Sequence, residues 1–384
     1  MGSTTLGSAS GSDLVVVGGG PAGAFAALTA RRIGLRTTIV DDGAMRPPTR
    51  PYVGEVLPPA ARRLIEATGL LRAIEPRSYL ESCGTRSAWG SPSLASTNFI
   101  SNPLGSGLHL DRAAFDSALM HAVALEGANV CAARVIDASR QNDCWQLTVE
   151  GTRGRQALCA ATVIDCSGRR AVIARSQGAR RKVDAPLVAL MAWLDTRHDT
   201  DRDATLTLES ASDGWWYTAR LPGRHRVVGY ITRRSSPDLR RGHTADGWHT
   251  LVNRTVHVRE LCLADGYTLS HPPVVISAAS SCLDRIVGER WAAAGDAAAS
   301  FDPLSAQGIL TAMLSGTHAA RAMASRLSGD GGVALARYAR QCHGVYAEHV
   351  RACSAYYAME SRWGTTSFWS RQSAAQGHLA STVP

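Results

Sequence analysis

Apolar and polar positions fall into alternating blocks from the start of the chain. Residues 14–17 form a short aliphatic run that ends in three glycines, the mark of a buried strand rather than a helix. An alanine-rich stretch with helical spacing follows, and residues 37–40 return to strand before two aspartates. Together these make a βαβ unit. Further on, "VLPPAARR" places Pro58 and Pro59 where a helix begins, the position that tolerates a missing N–H. Residues 82–102 alternate like strands, and "LHLDRAAFDSALMHAVALEGANV" reads as a strand end followed by an amphipathic helix. Three strand-like runs come next: "ARVIDASR", "CWQLTVEG" and "QALCAATVIDCSG". From about residue 187 to 283 the pattern predicts short strands with turns, hence an antiparallel sheet. Then come a strand, a small-residue loop and a helix, and from about 333 a helical region rich in aromatic rings. This is an α/β chain, with a parallel βαβ unit and a second sheet.

Composition narrows the partners. With 45% hydrophobic and 19% charged residues the 384-residue chain can bury a substantial core. No apolar run reaches the roughly 18 residues of a membrane span, and the first thirteen residues lack the basic start and apolar run of a secretory signal. Nine cysteines without a C-x-x-C pair argue against a disulfide framework and against a zinc site; no metal is expected. A cytoplasmic protein with no membrane partner is the expectation. The formal charge of +9 is almost all arginine, because Lys182 is the only lysine. Basic runs such as "RRSSPDLRR" are interrupted and lack interleaved aromatics, so no nucleic-acid partner is expected.

The first loop carries the clearest chemistry. Gly18, Gly20 and Gly23, with Ala22 between the last two, fill a G-x-G-x-x-G pattern. The first glycine allows the tight turn, the second lets a pyrophosphate approach the backbone, and the third lets helix and strand pack closely. Phosphate charge then meets the unpaired N–H groups of the helix start. Asp41, at the end of the second strand, is the candidate for a ribose hydroxyl, ahead of Asp42.

Three more segments carry a resemblance. "HLDRAAFDSAL", "VIDCSGRRAVIAR" and "AAAGDAAASFDPLSAQGI" are similar, in this order, to the FAD-contacting segments of flavin monooxygenases of the hydroxybenzoate hydroxylase class. The resemblance implies a Rossmann-like FAD-binding domain of the GR2 type, assembled from residues 13–81, 106–182 and 284–330. It implies an antiparallel substrate-binding sheet from 82–105 and 183–283, a helical region from 331–384, and a flexible leader at 1–12. Arg112 would bind phosphate oxygens, Val135 would line the cofactor cleft, and Asp296 would accept ribityl hydroxyls. Pro303, Ala306, Gln307 and Gly308 would bring a helix start to the flavin ring. Asp165 either marks the second FAD strand end or simply ends a strand. Within the class, "VGEVLPP", "GWWYTARLP" and "YYAMESRWGTTSFW" resemble the halogenase-like branch and, within it, the flavoproteins that mature tryptophylquinone cofactors, the LodB, GoxB and QhpG type.

That resemblance implies FAD, O2 as co-substrate, electrons from NAD(P)H or from a separate flavin reductase, and oxygen transfer through a flavin C4a-hydroperoxide. The substrate would be an electron-rich aromatic, an indole or tryptophan, free or bound to a peptide or carrier. Halogenases of the branch also need a lysine a few tens of residues after the Gly-Glu segment. The matching stretch "ESCGTRSAWG" holds Arg86 instead, and a guanidinium stays protonated. Hydroxylation is therefore the expected reaction, with a halogenase-like activity and an alkene-saturating FAD reductase resembling geranylgeranyl reductases as alternatives; a non-catalytic flavoprotein is a third. Glu55 and Trp216 are the candidate catalytic residues, and Arg86, Trp215, Tyr217 and His109 the candidate substrate contacts, with Asp302 a further polar group near the ring. In a strand, Trp215 and Tyr217 share one face and Trp216 takes the other, so "GWWYTARLP" can supply both core and cavity wall.

Overall fold

The computed structural model describes residues 11–43, 53–141, 143–184, 186–364, 366 and 368–370. Most of the leader expected at 1–12, and the tail beyond 370, lie outside these residues.

Ser12–Val17 sits inside a parallel arrangement, with Thr37–Asp41 on one side and Gly154–Asp165 on the other. Thr37–Asp41 pairs onward with the start of Asn129–Gln141, and Gly154–Asp165 pairs with Trp291–Ala293. Strands covered on both faces need no polar alternation, which is why residues 14–17 are uniformly apolar. Cys144–Gly151 joins Asn129–Gln141 to Gly154–Asp165 antiparallel, so the three strand-like runs form one meander on the parallel core. Helix Pro21–Arg32 packs tightly on helix Gly308–Leu327. A Cβ on Gly316 would lie 2.1 Å from the Ala22 carbonyl oxygen, and one on Gly295 2.7 Å from the Ala22 Cβ. Small residues at this crossing let the middle of the second helix pack closely against the start of the first.

The second large sheet runs in the order Thr268–Leu269, Leu187–Asp195, His225–Arg233, Gly214–Leu221, Thr205–Ala211, Gly84–Ala88, Ala95–Asn98. It is not wholly antiparallel as expected: Gly84–Ala88 runs parallel to Thr205–Ala211. Gly84–Ala88 is joined to that strand by no hairpin, so no tight turn dictates its direction.

A further departure is helical. Pro237–Arg241, Ala245–Val252 and His257–Leu263 lie within the stretch read as strands and turns. Ser236 and Thr244 cap the first two, accepting the N–H groups of Asp238 and Gly247. Helices this short give the 3.6-residue period little room to stand out. They help cover one face of the sheet, where Trp216 and Tyr230 stack at 4.5 Å among Leu190, Val228, Trp248 and Leu251. Glu209 pins the third helix to the sheet by accepting the N–H groups of Val256, His257 and Val258 at 2.7, 3.0 and 2.9 Å. Glu209→Gln is expected to cost about 1–2 kcal/mol, measured by chemical denaturation, because a charged acceptor becomes a neutral one.

The opposite face carries Trp215, Ala219, Val227 and Ile231, closed by Tyr357, Phe368 and Trp369. Tyr357 belongs to helix Val333–Ala358. Past that helix, Glu360 accepts from Gly90 N–H, Ser210 and Arg362, and the Trp369 indole donates to the Ala211 carbonyl at 2.9 Å. Glu360, Arg362 and Trp369 thus clasp the segment after that helix to the second sheet.

Candidate active site

The glycine turn has the geometry its spacing predicts. Gly18 has φ +108°, and a Cβ on Gly23 would sit 1.8 Å from the Gly18 carbonyl oxygen, so neither position accepts a side chain without rearrangement. Gly20 differs: its backbone is extended, and a Cβ there would meet nothing within 4 Å. That open approach lies just before Pro21, at the start of the first helix, where a bound anion is favoured. Asp41 accepts the Gly19 and Gly43 N–H groups at 2.8 and 2.9 Å, which fixes its carboxylate beside the turn. Asp41, Asp42, Val135, Ser167 and Arg170 line one cleft next to Gly18, and Arg170 pairs with Asp42 at 3.1 Å. Asp165 faces inward instead. It accepts the N–H groups of Ser167, Ile173 and Ala174, capping the short helix Val172–Ser176.

A second group gathers where helix Gly308–Leu327 begins. Asp302 leads into the turn Pro303–Ser305, Ala306 takes φ +50°, and Gln307 precedes the first helical residue, Gly308. The N–H groups of the first turn of a helix have no partner within it. Asp296 pairs with Arg169 at 3.4 Å, and its side chain keeps 41% exposure. Arg112, at the start of helix Arg112–Leu125, donates to the carbonyls of Val53 and Gly54 and to Asp116 at 3.1 Å, while its Nε is buried without a partner among the described residues.

Glu55 lies at the junction of the two halves. Its backbone carbonyl accepts the Leu110 N–H, its Oε2 accepts the Gly54 N–H at 3.0 Å, and its Oε1 is buried with no hydrogen-bond partner among the described residues. Burial pushes the carboxyl up to about 7 against the opposing pull of the Arg112 guanidinium. On the sheet side, its charge bears on the Tyr217 hydroxyl, and the Trp193 indole beside it favours the ionised carboxylate. The Tyr217 ring packs directly on Gly229, where a Cβ would lie 2.2 Å from Cε1. Tyr217 and Trp193 are therefore on the face shared with Trp215.

Other sequence candidates are not brought to this junction. Trp216 is enclosed on the opposite face of the sheet, among the residues under the three short helices. Arg86 is on that far face too, because it pairs across Thr207 to Thr218; its guanidinium meets Asp203 at 2.9 Å in a network with Arg226 and Asp201. His109 is fully buried and bonds the Arg220 carbonyl through Nδ1 at 2.8 Å. Burial pushes its imidazole down to about 4, so it stays neutral and ties Gly107–Leu110 to Gly214–Leu221. Lys182 is exposed on Arg181–Val183.

Trp193 and Met191 join these surroundings without any mark in the sequence, and Tyr357 lies in the quoted stretch "YYAMESRWGTTSFW" with nothing there to single it out from its neighbours. Leu187–Asp195 is almost uniformly buried on both faces, so no alternation distinguishes Trp193. Tyr357 depends on a contact with Trp215 across 142 residues.

A family model described as an FAD binding domain matches residues 12–353. LodB of Marinomonas mediterranea, named as an FAD-dependent oxidoreductase, is 29% identical over 374 residues, covering 94% of this chain and 97% of that protein. A tryptophan 2-halogenase of Chondromyces crocatus is 24% identical over 96% of this chain and 72% of its own. The solved structure of the peptidyl tryptophan dihydroxylase QhpG, which is essential for tryptophylquinone cofactor biogenesis, superposes with a TM-score of 0.77 at 24% identity, over 95% of this chain and 79% of that one.

Proposed function

Since the chain belongs to the FAD binding domain family and is a flavin-dependent oxidoreductase, we propose that it is a monooxygenase placing one oxygen atom of O2 on an electron-rich aromatic ring. The ring is an indole of tryptophan, free or joined to a peptide or carrier. The residues fit the cofactor: the open approach at Gly20 suits a pyrophosphate, Asp41 a ribose, Val135 the adenosine cleft, and the start of Gly308–Leu327 an electron-rich ring edge. Arg112, with an unpartnered buried Nε, and Asp296, with a half-buried carboxylate, flank the space between. Bound FAD, reduced by NAD(P)H or by a separate flavin reductase, supplies the activation of oxygen.

The observation that carries this reading is the buried, unpartnered Oε1 of Glu55 between Arg112 and the aromatic face. A buried acceptor without a donor is costly, and an indole N–H supplies the missing bond. Glu55 then orients the ring and holds a proton near neutral pH, as a general base placed at its working pH does. Tyr217 and Trp193 give flat walls, and the closed aromatic cluster behind them excludes water. The tryptophan-directed names of two relatives support an indole.

The test is reoxidation of the reduced, FAD-loaded protein in air with candidate aromatics. A product carrying one added oxygen should replace peroxide as the aromatic is raised; peroxide in full stoichiometry with every aromatic would overturn the reading. Halogenation is the second reading, and among the described residues no lysine reaches the junction. Lys182→Met is expected to leave turnover unchanged, measured as product formed per FAD reduced.

A further inference from the structure

Asp302 begins the turn leading into helix Gly308–Leu327, and its two carboxylate oxygens are used differently. Oδ1 accepts the Leu304 N–H at 2.9 Å, which shapes the turn. Oδ2 accepts the Tyr357 hydroxyl at 2.8 Å, and the same hydroxyl oxygen accepts the Trp215 indole N–H at 2.9 Å. Asp302, Tyr357 and Trp215 are 4%, 2% and 1% exposed. A phenylalanine would fill nearly the same volume as Tyr357, so packing alone does not call for the hydroxyl. What it adds is a continuous chain of two hydrogen bonds from the aromatic face of the second sheet to the turn.

We propose that Tyr357 is a positioning residue whose hydroxyl ties Trp215 to Asp302, so that the aromatic face sets the turn that aims the start of helix Gly308–Leu327 at the flavin ring. This deepens the monooxygenase reading and rests on it. A ring bound against Tyr217 presses on a face whose neighbour, Trp215, holds the far end of the chain; the Trp215 and Tyr217 rings are 6.2 Å apart. Substrate occupancy and cofactor environment are thereby linked through one hydroxyl.

The groups around Asp302 are few. Its backbone N–H donates to Ser280 Oγ at 2.9 Å and to His349 Nε2 at 3.2 Å. His349 is neutral, pushed down to about 4 by burial, and the neighbouring Cys353 thiol is pushed up by burial, so neither brings charge. Burial pushes the Asp302 carboxyl up to about 6, with the Leu304 N–H and the Tyr357 hydroxyl opposing it. Removing that hydroxyl takes away a donor to the anion, so Asp302 then holds its proton to higher pH.

The test uses the full chain loaded with FAD, as wild type, Tyr357→Phe and Asp302→Asn. The visible flavin spectrum and midpoint potential are followed through the titration of Asp302, with FAD affinity alongside. Wild type should show an inflection near pH 6, Asp302→Asn none, and Tyr357→Phe an inflection moved upward with FAD binding weakened roughly tenfold. Identical curves for all three would overturn the proposal and leave Tyr357 a packing residue. Should Tyr357→Phe fail to fold, Trp215→Phe cuts the other bond: weaker FAD binding supports the link, unchanged binding refutes it. A wild-type chain that takes up no FAD overturns the flavin reading and this inference together, whereas flavin-loaded wild type without an inflection overturns the inference alone.

Discussion

Glu55→Gln is expected to lower kcat/KM for the aromatic about 100-fold, the lower end of what a positioned acid–base group contributes, while the protein keeps its flavin spectrum. Glutamine keeps the size of the side chain and its bond from Gly54, but it cannot take up a proton and gives a weaker acceptor for an N–H. In wild type kcat/KM should rise with pH through the Glu55 titration near 7, and in the variant that rise should be absent. Stability should move the other way. Folding raises this carboxyl from the usual 4.5 to about 7, so between those values the native state binds the extra proton and stability falls as pH rises. The loss is complete above pH 7 and amounts to about 3 kcal/mol. The cofactor-free variant should therefore denature at higher urea than wild type at alkaline pH and match it in acid. A more stable but slower enzyme is what a site holding an unsatisfied group predicts. Equal activity in the two proteins would remove Glu55 from the chemistry.

Gly20→Asp should weaken FAD binding by more than about 100-fold, reading like-charge repulsion and lost backbone approach together as several kcal/mol. The fold should survive, because a Cβ at Gly20 meets nothing within 4 Å and the backbone is already extended. Circular dichroism of the cofactor-free variant should match wild type while the yellow colour is lost. Gly23→Ala is the contrasting case, since its Cβ would collide with the Gly18 carbonyl and disturb the turn itself. If Gly20→Asp binds FAD normally, the pyrophosphate does not lie over this turn.

Features encoded by neighbouring residues are legible in the amino-acid sequence, and those that need distant segments to meet are not. The glycine turn, its helix and Asp41 fall within one short segment, so spacing alone gives their arrangement. Alternation along Gly214–Leu221 likewise separates Trp216 from Trp215 and Tyr217, and the two sides do bury in different clusters. Glu55 stands out only through resemblance, and its orphaned oxygen depends on Arg112, Trp193 and Tyr217 converging from distant segments. Arg86 illustrates the opposite: its partner Asp203 is 117 residues away, and the ion pair holds it on the face remote from Glu55. The three short helices are hidden because each is too short to display a period; Ser236 and Thr244 cap only the first two, and the third, His257–Leu263, has no side-chain cap at all.

The most direct measurement supplies the FAD-loaded, reduced protein with an indole substrate, isotopically heavy dioxygen and excess chloride and bromide, and reads the product by mass spectrometry. The expected product carries one heavy oxygen atom and no halogen. A halogen isotope pattern, or an unmodified indole beside full release of peroxide, would contradict oxygen transfer at this site.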